Sequence, residues 1–292
     1  MLPDTKHCLI CRRPNRTLHW HRDLETSDIW VYCVGKCQRG YSLKQYCSLG
    51  DILPEDLLKG DFEFQEAKSN EIQAMQWPAK FIPLNDPRAA PGVKYIRGRG
   101  LSLDSDMYYD IDRDGIVFPY YFDKHFCGAQ IRFIKDNFNK SGDLQKVDTV
   151  PGTRLGMLFG LWNQTKFFTN VKAVGVCEGY FNALSLQQAF NTKYGGVANN
   201  PWKFISTSGC NVSLHHREVL KELKDNNIKI ICAYDHDEAG LAGLNKMIKA
   251  ECLTHFSTTQ DTDKDWNDML LKDGPHHTAT RFLMNLKAAA NV

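Results

Sequence analysis

The sequence has 292 residues, 42% hydrophobic and 24% charged, with 36 Lys and Arg against 34 Asp and Glu. That length and balance suit one sizeable core plus a small satellite module, and exclude a disordered, collagenous or coiled-coil chain. No window approaches the run of about 18 uncharged apolar residues that a membrane helix needs, and the opening MLPDTKHC lacks the apolar stretch of a secretory signal. A cytoplasmic protein with no membrane partner is expected.

The charge is uneven. Residues 1–50 hold eight basic and four acidic side chains, residues 51–77 hold two and seven, and the rest is nearly balanced. An acidic stretch therefore separates two mildly basic pieces, and no single strongly basic face stands out.

Five of the ten cysteines precede residue 48. In a cytosolic chain such a cluster reads as metal binding, not as a disulfide framework. Cys8 and Cys11 form one close pair, and Cys33 and Cys37 another. Together they make a tetrahedral four-cysteine site for one structural Zn²⁺, whose binding free energy supplies the stability a small module lacks. The second pair departs from the commoner two-residue spacing, and His7, His19, His21 or Cys47 stands open as a substitute for one thiolate. Short strands are expected at 18–20 and 29–32, and a short helix at 41–49, giving a small β module over 1–50. Arg12, Arg13, Arg16, Trp20, Arg22, Trp30 and Tyr32 interleave cations with rings. Such a face suits unpaired bases stacked on rings with phosphates held by Arg, and Trp20 and Arg22 are its candidate contacts. The alternative is a surface that packs on a larger body.

Residues 51–91 are acidic and then punctuated by Pro78, Pro83, Pro87 and Pro91. They read as a linker with little structure of its own from about residue 60. Beyond it, 94–99 followed by 104–109 suggests a short helix and a turn. Residues 116–122 and 126–133 suggest two strands around a turn at 123–124, an antiparallel α+β pattern over 92–170. From 171 the rhythm changes. Strand runs at 171–177, 204–207, 228–234 and 253–259 alternate with helices at 179–190, 213–224 and 239–250 and one opening at 266–271. That alternation implies an α/β subdomain over 171–275, a mostly parallel sheet flanked by helices. Residues 276–292 remain as a C-terminal helix or tail.

Glu178, Asp235 and Asp237 each follow an apolar strand run, and functional groups in open α/β sheets gather beyond such strand ends. Asp235 and Asp237 are two apart and point the same way in extended chain. Gly240 permits close approach near the next helix start. Carboxylates crowded in a cleft need a counter-ion, and Mg²⁺ or Mn²⁺, one or two ions, suits an all-oxygen donor set. Asp265 is a candidate further ligand, with Asn267 capping or orienting the others. The alternative is that 235–238 and 264–268 are simply helix N-caps.

The elements Cys177-Glu178-Gly179, Asp235-His236-Asp237-Glu238-Ala239-Gly240 and Lys264-Asp265-Trp266-Asn267-Asp268 resemble the TOPRIM module of DNA primases, topoisomerases, recombination proteins and some nucleases. The third element resembles the primase branch. A zinc ribbon, a tether and a TOPRIM-containing body is the order of bacteriophage-type DNA primases of the DnaG-like superfamily. The resemblance implies template-directed synthesis of short RNA primers on single-stranded DNA from ribonucleoside triphosphates during viral DNA replication. It implies metal at Glu178, Asp235, Asp237 and Asp265. It makes 92–170 the basic part of the polymerase body, with Arg132 and Lys146, and less directly Lys135, on nucleotide phosphates or template. Lys264 and Asn267 join them as candidate contacts. The sequence has no GxxxxGK[ST] phosphate loop, so a separate replicative helicase and other replisome proteins are the expected partners. The residues alone leave a TOPRIM nuclease or a non-catalytic nucleic-acid-binding protein as alternatives.

Overall fold

The computed structural model describes residues 18–22, 29–33, 39–50 and 74–289, except 104–105, 123–124, 139–141, 154–156, 162–169, 211 and 260–263. Within 18–50 it describes only the side chains of Ile29, Val31 and 41–48, and it leaves out that of Leu214. The chain divides into two compact units, Met1–Glu71 and Ile72–Val292.

In the first unit, β1 (Leu18–Arg22), β2 (Ile29–Cys33) and β3 (Arg39–Ser42) pair antiparallel in that order, and α1 (Leu43–Gly50) follows. Ser42 and Gln45 form a capping box. The Ser42 hydroxyl accepts from the Gln45 amide at 3.3 Å, and the Gln45 side chain accepts from the Ser42 amide at 3.1 Å. Two donors that a helix start leaves open are thereby satisfied. Ile29, Val31, Tyr46 and Cys47 are buried, so Cys47 is a packed thiol whose pKa burial raises. Of the zinc candidates, Cys33 ends β2, while Cys8, Cys11 and Cys37 lie outside the described residues. Trp20 and Arg22 fall on β1.

The second unit opens with β4 (Phe81–Pro83), α2 (Ala90–Gly98), β5 (Tyr108–Asp110), β6 (Gly115–Phe122), β7 (His125–Phe133) and β8 (Val147–Thr149). These strands form an antiparallel meander in sequence order. The end of the proline-punctuated run therefore has structure of its own, with 81–83 paired to 108–110. Its prolines fit because β4 is an edge strand, while Pro87 and Pro91 stand in the first turns of a 3₁₀ segment and of α2. A missing N–H breaks no inner bond at such places. Strand β6 is buried on both faces. Ile116, Phe118 and Tyr120 pack with Ile96, while Val117 packs with Phe81, Phe126 and Ile131.

The alternating half follows as β9 (Ala173–Cys177), α3 (Tyr180–Lys193), β10 (Trp202–Ser206), α4 (Leu214–Asp225), β11 (Lys229–Cys232), α5 (Glu238–Lys249), β12 (His255–Phe256), α6 (Trp266–Met284) and β13 (Lys287–Ala288). The sheet runs β10-β9-β11-β12-β13, parallel except for β13. Val174 and Val176 face one apolar cluster and Ala173 and Cys177 another, as a strand covered on both faces requires. Helix α6 bends at Gly274, where φ is 79° and Pro275 follows. The two sheets meet through aromatic packing. Phe118 of β6 stacks on Tyr180 of α3 with ring centroids 4.3 Å apart, and Phe159 and Ser206 exchange backbone bonds of 2.9 and 3.1 Å. Among the described residues no helix is long and apolar enough to cross a membrane.

Candidate functional site

The acidic residues converge because of strand register. Cys232 of β11 is level with Val176 of β9, and the Ala233 amide continues the ladder to the Val176 carbonyl at 2.8 Å. Glu178 and Asp235 thus leave neighbouring strands, about 4.8 Å apart across the ladder, at the same sheet edge. Asp237 is the N-cap of α5, accepting from the Gly240 amide at 2.7 Å. A Cβ on Gly240 would lie 2.1 Å from the Asp235 carbonyl oxygen, so the tight return of α5 onto the strand end requires glycine there. Asp265 caps α6, accepting from the Asp268 amide at 2.8 Å. Trp266 beside it is fully buried, and its indole N–H donates to the Ala233 carbonyl at 3.0 Å. Asp237 and Asp265 are therefore N-caps and members of the acidic cluster at once.

Burial, then the charges of Asp265, Glu178 and Asp237, push the Asp235 pKa from 3.8 up to about 7, opposed by a hydrogen bond from Asn182. The amide of Asn182, buried on α3, donates to Asp235 Oδ1 at 2.8 Å. Cys210, hydrogen-bonded to Glu178, is raised to about 12 by burial and by the same carboxylates. Excess negative charge from oxygen donors is what a hard divalent cation neutralises. Among the described residues no three His, Cys, Asp or Glu side chains close a cage by themselves. The donor set fits Mg²⁺ or Mn²⁺ nevertheless, since Mg²⁺ binds through one or two carboxylates and keeps waters or phosphate oxygens in its other positions.

Glu178, Asp235 and Asp265 line a cleft of about 1250 Å³ between the meander and the parallel sheet. Its lining takes Glu178, Asp235, Lys264 and Asp265 from the parallel-sheet half and Arg99, Arg132 and Lys135 from the meander half. Lys135 also pairs with Asp114 at 2.5 Å. The arrangement brings cations and carboxylates into the lining of one space large enough for a nucleotide, the charge pattern that holds a polyphosphate with its metal.

Residues 175–270 match a protein-family model described as Toprim-like. Among solved structures, the RNA polymerase domain of Mycobacterium tuberculosis primase DnaG matches with a TM-score of 0.53 at 15% identity, covering 72% of this chain and 80% of that one. The DnaG primase catalytic domain bound to single-stranded DNA matches at 0.50 and 18% identity, covering 71% and 75%. The Aquifex aeolicus primase, with its zinc-binding and RNA polymerase domains, matches at 0.50 and 16% identity, covering 90% and 76%. The fold is that of the DnaG-type primase catalytic core. No curated protein matches the sequence.

Within this primase-type core the expected residues separate. Glu178, Asp235, Asp265, Arg132, Lys135, Lys264 and Asn267 line one cleft. Asp237, the helix cap, is not among the residues lining it. Lys146 is exposed, just before β8, and is not among the residues lining the cleft. Asn267 is 2% exposed and its amide is engaged inside the protein, accepting from Arg99 at 3.0 Å and donating to the Arg99 carbonyl and Ser185 hydroxyl at 2.9 Å each. Tyr180, beside the Toprim-like glutamate, is core. Its hydroxyl lies 3.1 Å from that of Tyr120.

Two polar residues at the site went unread in the sequence, Asn182 and Arg99. Asn182 stands one helical turn past Glu178, a spacing that places it toward the same end of α3. Arg99 has no local signal at all, because its partner Asn267 is 168 residues away.

Proposed function

We propose that this protein is a DNA primase, which joins ribonucleotides on a single-stranded DNA template by metal-dependent nucleotidyl transfer in viral DNA replication. The observation that carries the reading is the cleft whose lining includes Glu178, Asp235 and Asp265 together with Arg132 and Lys135. The likeness to DnaG catalytic domains, one bound to single-stranded DNA, supports it. Mg²⁺ or Mn²⁺ bound at Glu178, Asp235, Asp237 and Asp265 would supply charge neutralisation at the α-phosphate and the pyrophosphate leaving group.

The protein's own contribution is positioning. Arg132 and Lys135 bind the triphosphate or template backbone from the meander side, and Lys264 does so from the Toprim side. Lys146, outside the cleft lining, serves the approaching template strand. No side chain forms a covalent intermediate, and the buried Tyr180 is packing. In the first unit, Cys8, Cys11, Cys33 and Cys37 hold one Zn²⁺, and Trp20 and Arg22 contact the template. The chain is organised as a zinc module over 1–50, a linker from 51, a basic subdomain over 92–170, the Toprim-like subdomain over 171–275 and a tail. It works in the cytoplasm with a replicative helicase and other replisome proteins.

The test is synthesis of labelled RNA from ribonucleoside triphosphates on a panel of single-stranded DNA templates, with and without Mg²⁺ or Mn²⁺. Metal-dependent oligoribonucleotides on some templates are expected. Template cleavage in place of synthesis would make the same cleft a nuclease.

A further inference from the structure

The hydrogen bonds of the two asparagines near Asp235 each have a fixed direction. Asn182 Oδ1 accepts from the backbone N–H of Asn267 at 3.2 Å. A backbone N–H can only donate, so the Asn182 amide has one permissible orientation, and its NH₂ group must face Asp235 Oδ1, 2.8 Å away. Asn267 is fixed in the same way. Its Nδ2 faces the Arg99 carbonyl, which can only accept, and its Oδ1 faces the Arg99 guanidinium, which can only donate. Arg99 in turn is held by rings, its guanidinium carbon 4.2 Å from the Phe181 centroid and 5.1 Å from that of Tyr95. Asn182 and Asn267 are 5% and 2% exposed, so water does not compete freely for these bonds.

We infer that Asn182 is a positioning residue, whose amide sets the orientation of the Asp235 carboxylate while the backbone N–H of Asn267 fixes that amide. The inference rests on the proposed reading of Asp235 as a metal-holding carboxylate and goes beyond it by assigning what aims that group. The chemistry asks for such a group. A carboxylate crowded by three others rotates away from them unless a neutral donor holds it, and a neutral donor does so without adding charge. Partners that hold a metal-binding side chain in this manner typically matter about 10–100-fold in metal affinity.

The experiment is Mn²⁺ titration of the full chain, followed by the electron paramagnetic resonance of free Mn²⁺, for wild type, Asn182→Ala, Asp235→Asn and the double variant. Expected results are binding by the wild type, about tenfold weaker binding by Asn182→Ala with a melting temperature within a few degrees of wild type, and little further loss when Asn182→Ala is added to Asp235→Asn. Asn182→Ser, which keeps a short donor, should fall between wild type and Ala, and gives the same reading if the Ala variant does not fold. Unchanged Mn²⁺ affinity in both Asn182 variants overturns the inference alone. So does an equal further loss in the Asp235→Asn background, because Asn182 would then act independently of that carboxylate. A wild type that binds no Mn²⁺ overturns the proposed function and this inference with it.

Discussion

The indole N–H of Trp266 donates to the carbonyl oxygen of Ala233 at 3.0 Å, tying the start of α6 to the end of β11. Asp265 and Asp235 each stand next to or near one end of this bond, so it carries the third acidic element to the strand edge. Trp266→Phe keeps most of the packing but leaves the buried carbonyl unpaired, and should cost about 1–3 kcal/mol. Trp266→Ala adds a large cavity and should cost about 3–5 kcal/mol. Urea denaturation followed by circular dichroism distinguishes the two. Equal, negligible losses would show that the tether does not matter.

Gly240 has no room for a methyl group, since a Cβ would fall 2.1 Å from the Asp235 carbonyl oxygen. Gly240→Ala should force α5 away from the strand end. The expected cost is about 1–3 kcal/mol of stability, with loss of most primer synthesis because Asp235 and Asp237 shift together. Thermal melts and the synthesis assay on the same preparation check this. A variant with wild-type melting and activity would contradict the geometry.

Asp235 gives the metal-free protein a pH dependence of defined sign. Its folded pKa, about 7, is above the ordinary 3.8, so the folded state binds the proton more tightly. Its contribution to stability is therefore most favourable below about pH 4, falls as the pH rises toward 7 and levels off above that. A divalent cation competes with that proton. Mg²⁺ should raise the melting temperature by several degrees at pH 8 and by much less at pH 5.5, and Asp235→Asn should flatten the difference. A Mg²⁺ effect independent of pH in the wild type would refute the assignment.

Glu178→Gln keeps the size of the side chain and removes one charge from the carboxylate cluster. Dinucleotide formation should fall by more than about a hundredfold, on the scale of losing a group that stabilises the transition state, while far-ultraviolet circular dichroism stays the same. Normal synthesis by this variant would count against the primase reading.

Cys33→Ser tests the first unit independently of the cleft. Zinc content by atomic absorption should drop from one ion per chain to near none, and template-directed initiation should weaken. Unchanged zinc content would remove Cys33 from the ligand set.

Local pattern made much of this protein legible before its structure. The apolar runs ending at Cys177 and near Cys232, the glycines after the acidic residues and the amphipathic helices Leu214–Asp225 and Glu238–Lys249 depend on neighbours within one or two turns. The parallel sheet and the acidic strand ends could therefore be read directly. The edge strand Phe81–Pro83 was hidden because its Pro83 suits an edge as well as a linker, and only pairing with Tyr108–Asp110 distinguishes the two. Tertiary structure alone decided which cations share the cleft lining with the carboxylates, separating Arg132 and Lys135 from Lys146 outside it. It alone disclosed the bonds of Arg99 to Asn267 and of Asn182 to Asp235. The physical reason is range. Strand and helix periodicity is written in adjacent residues, whereas a hydrogen bond between residues 168 apart leaves no trace in the spacing of either.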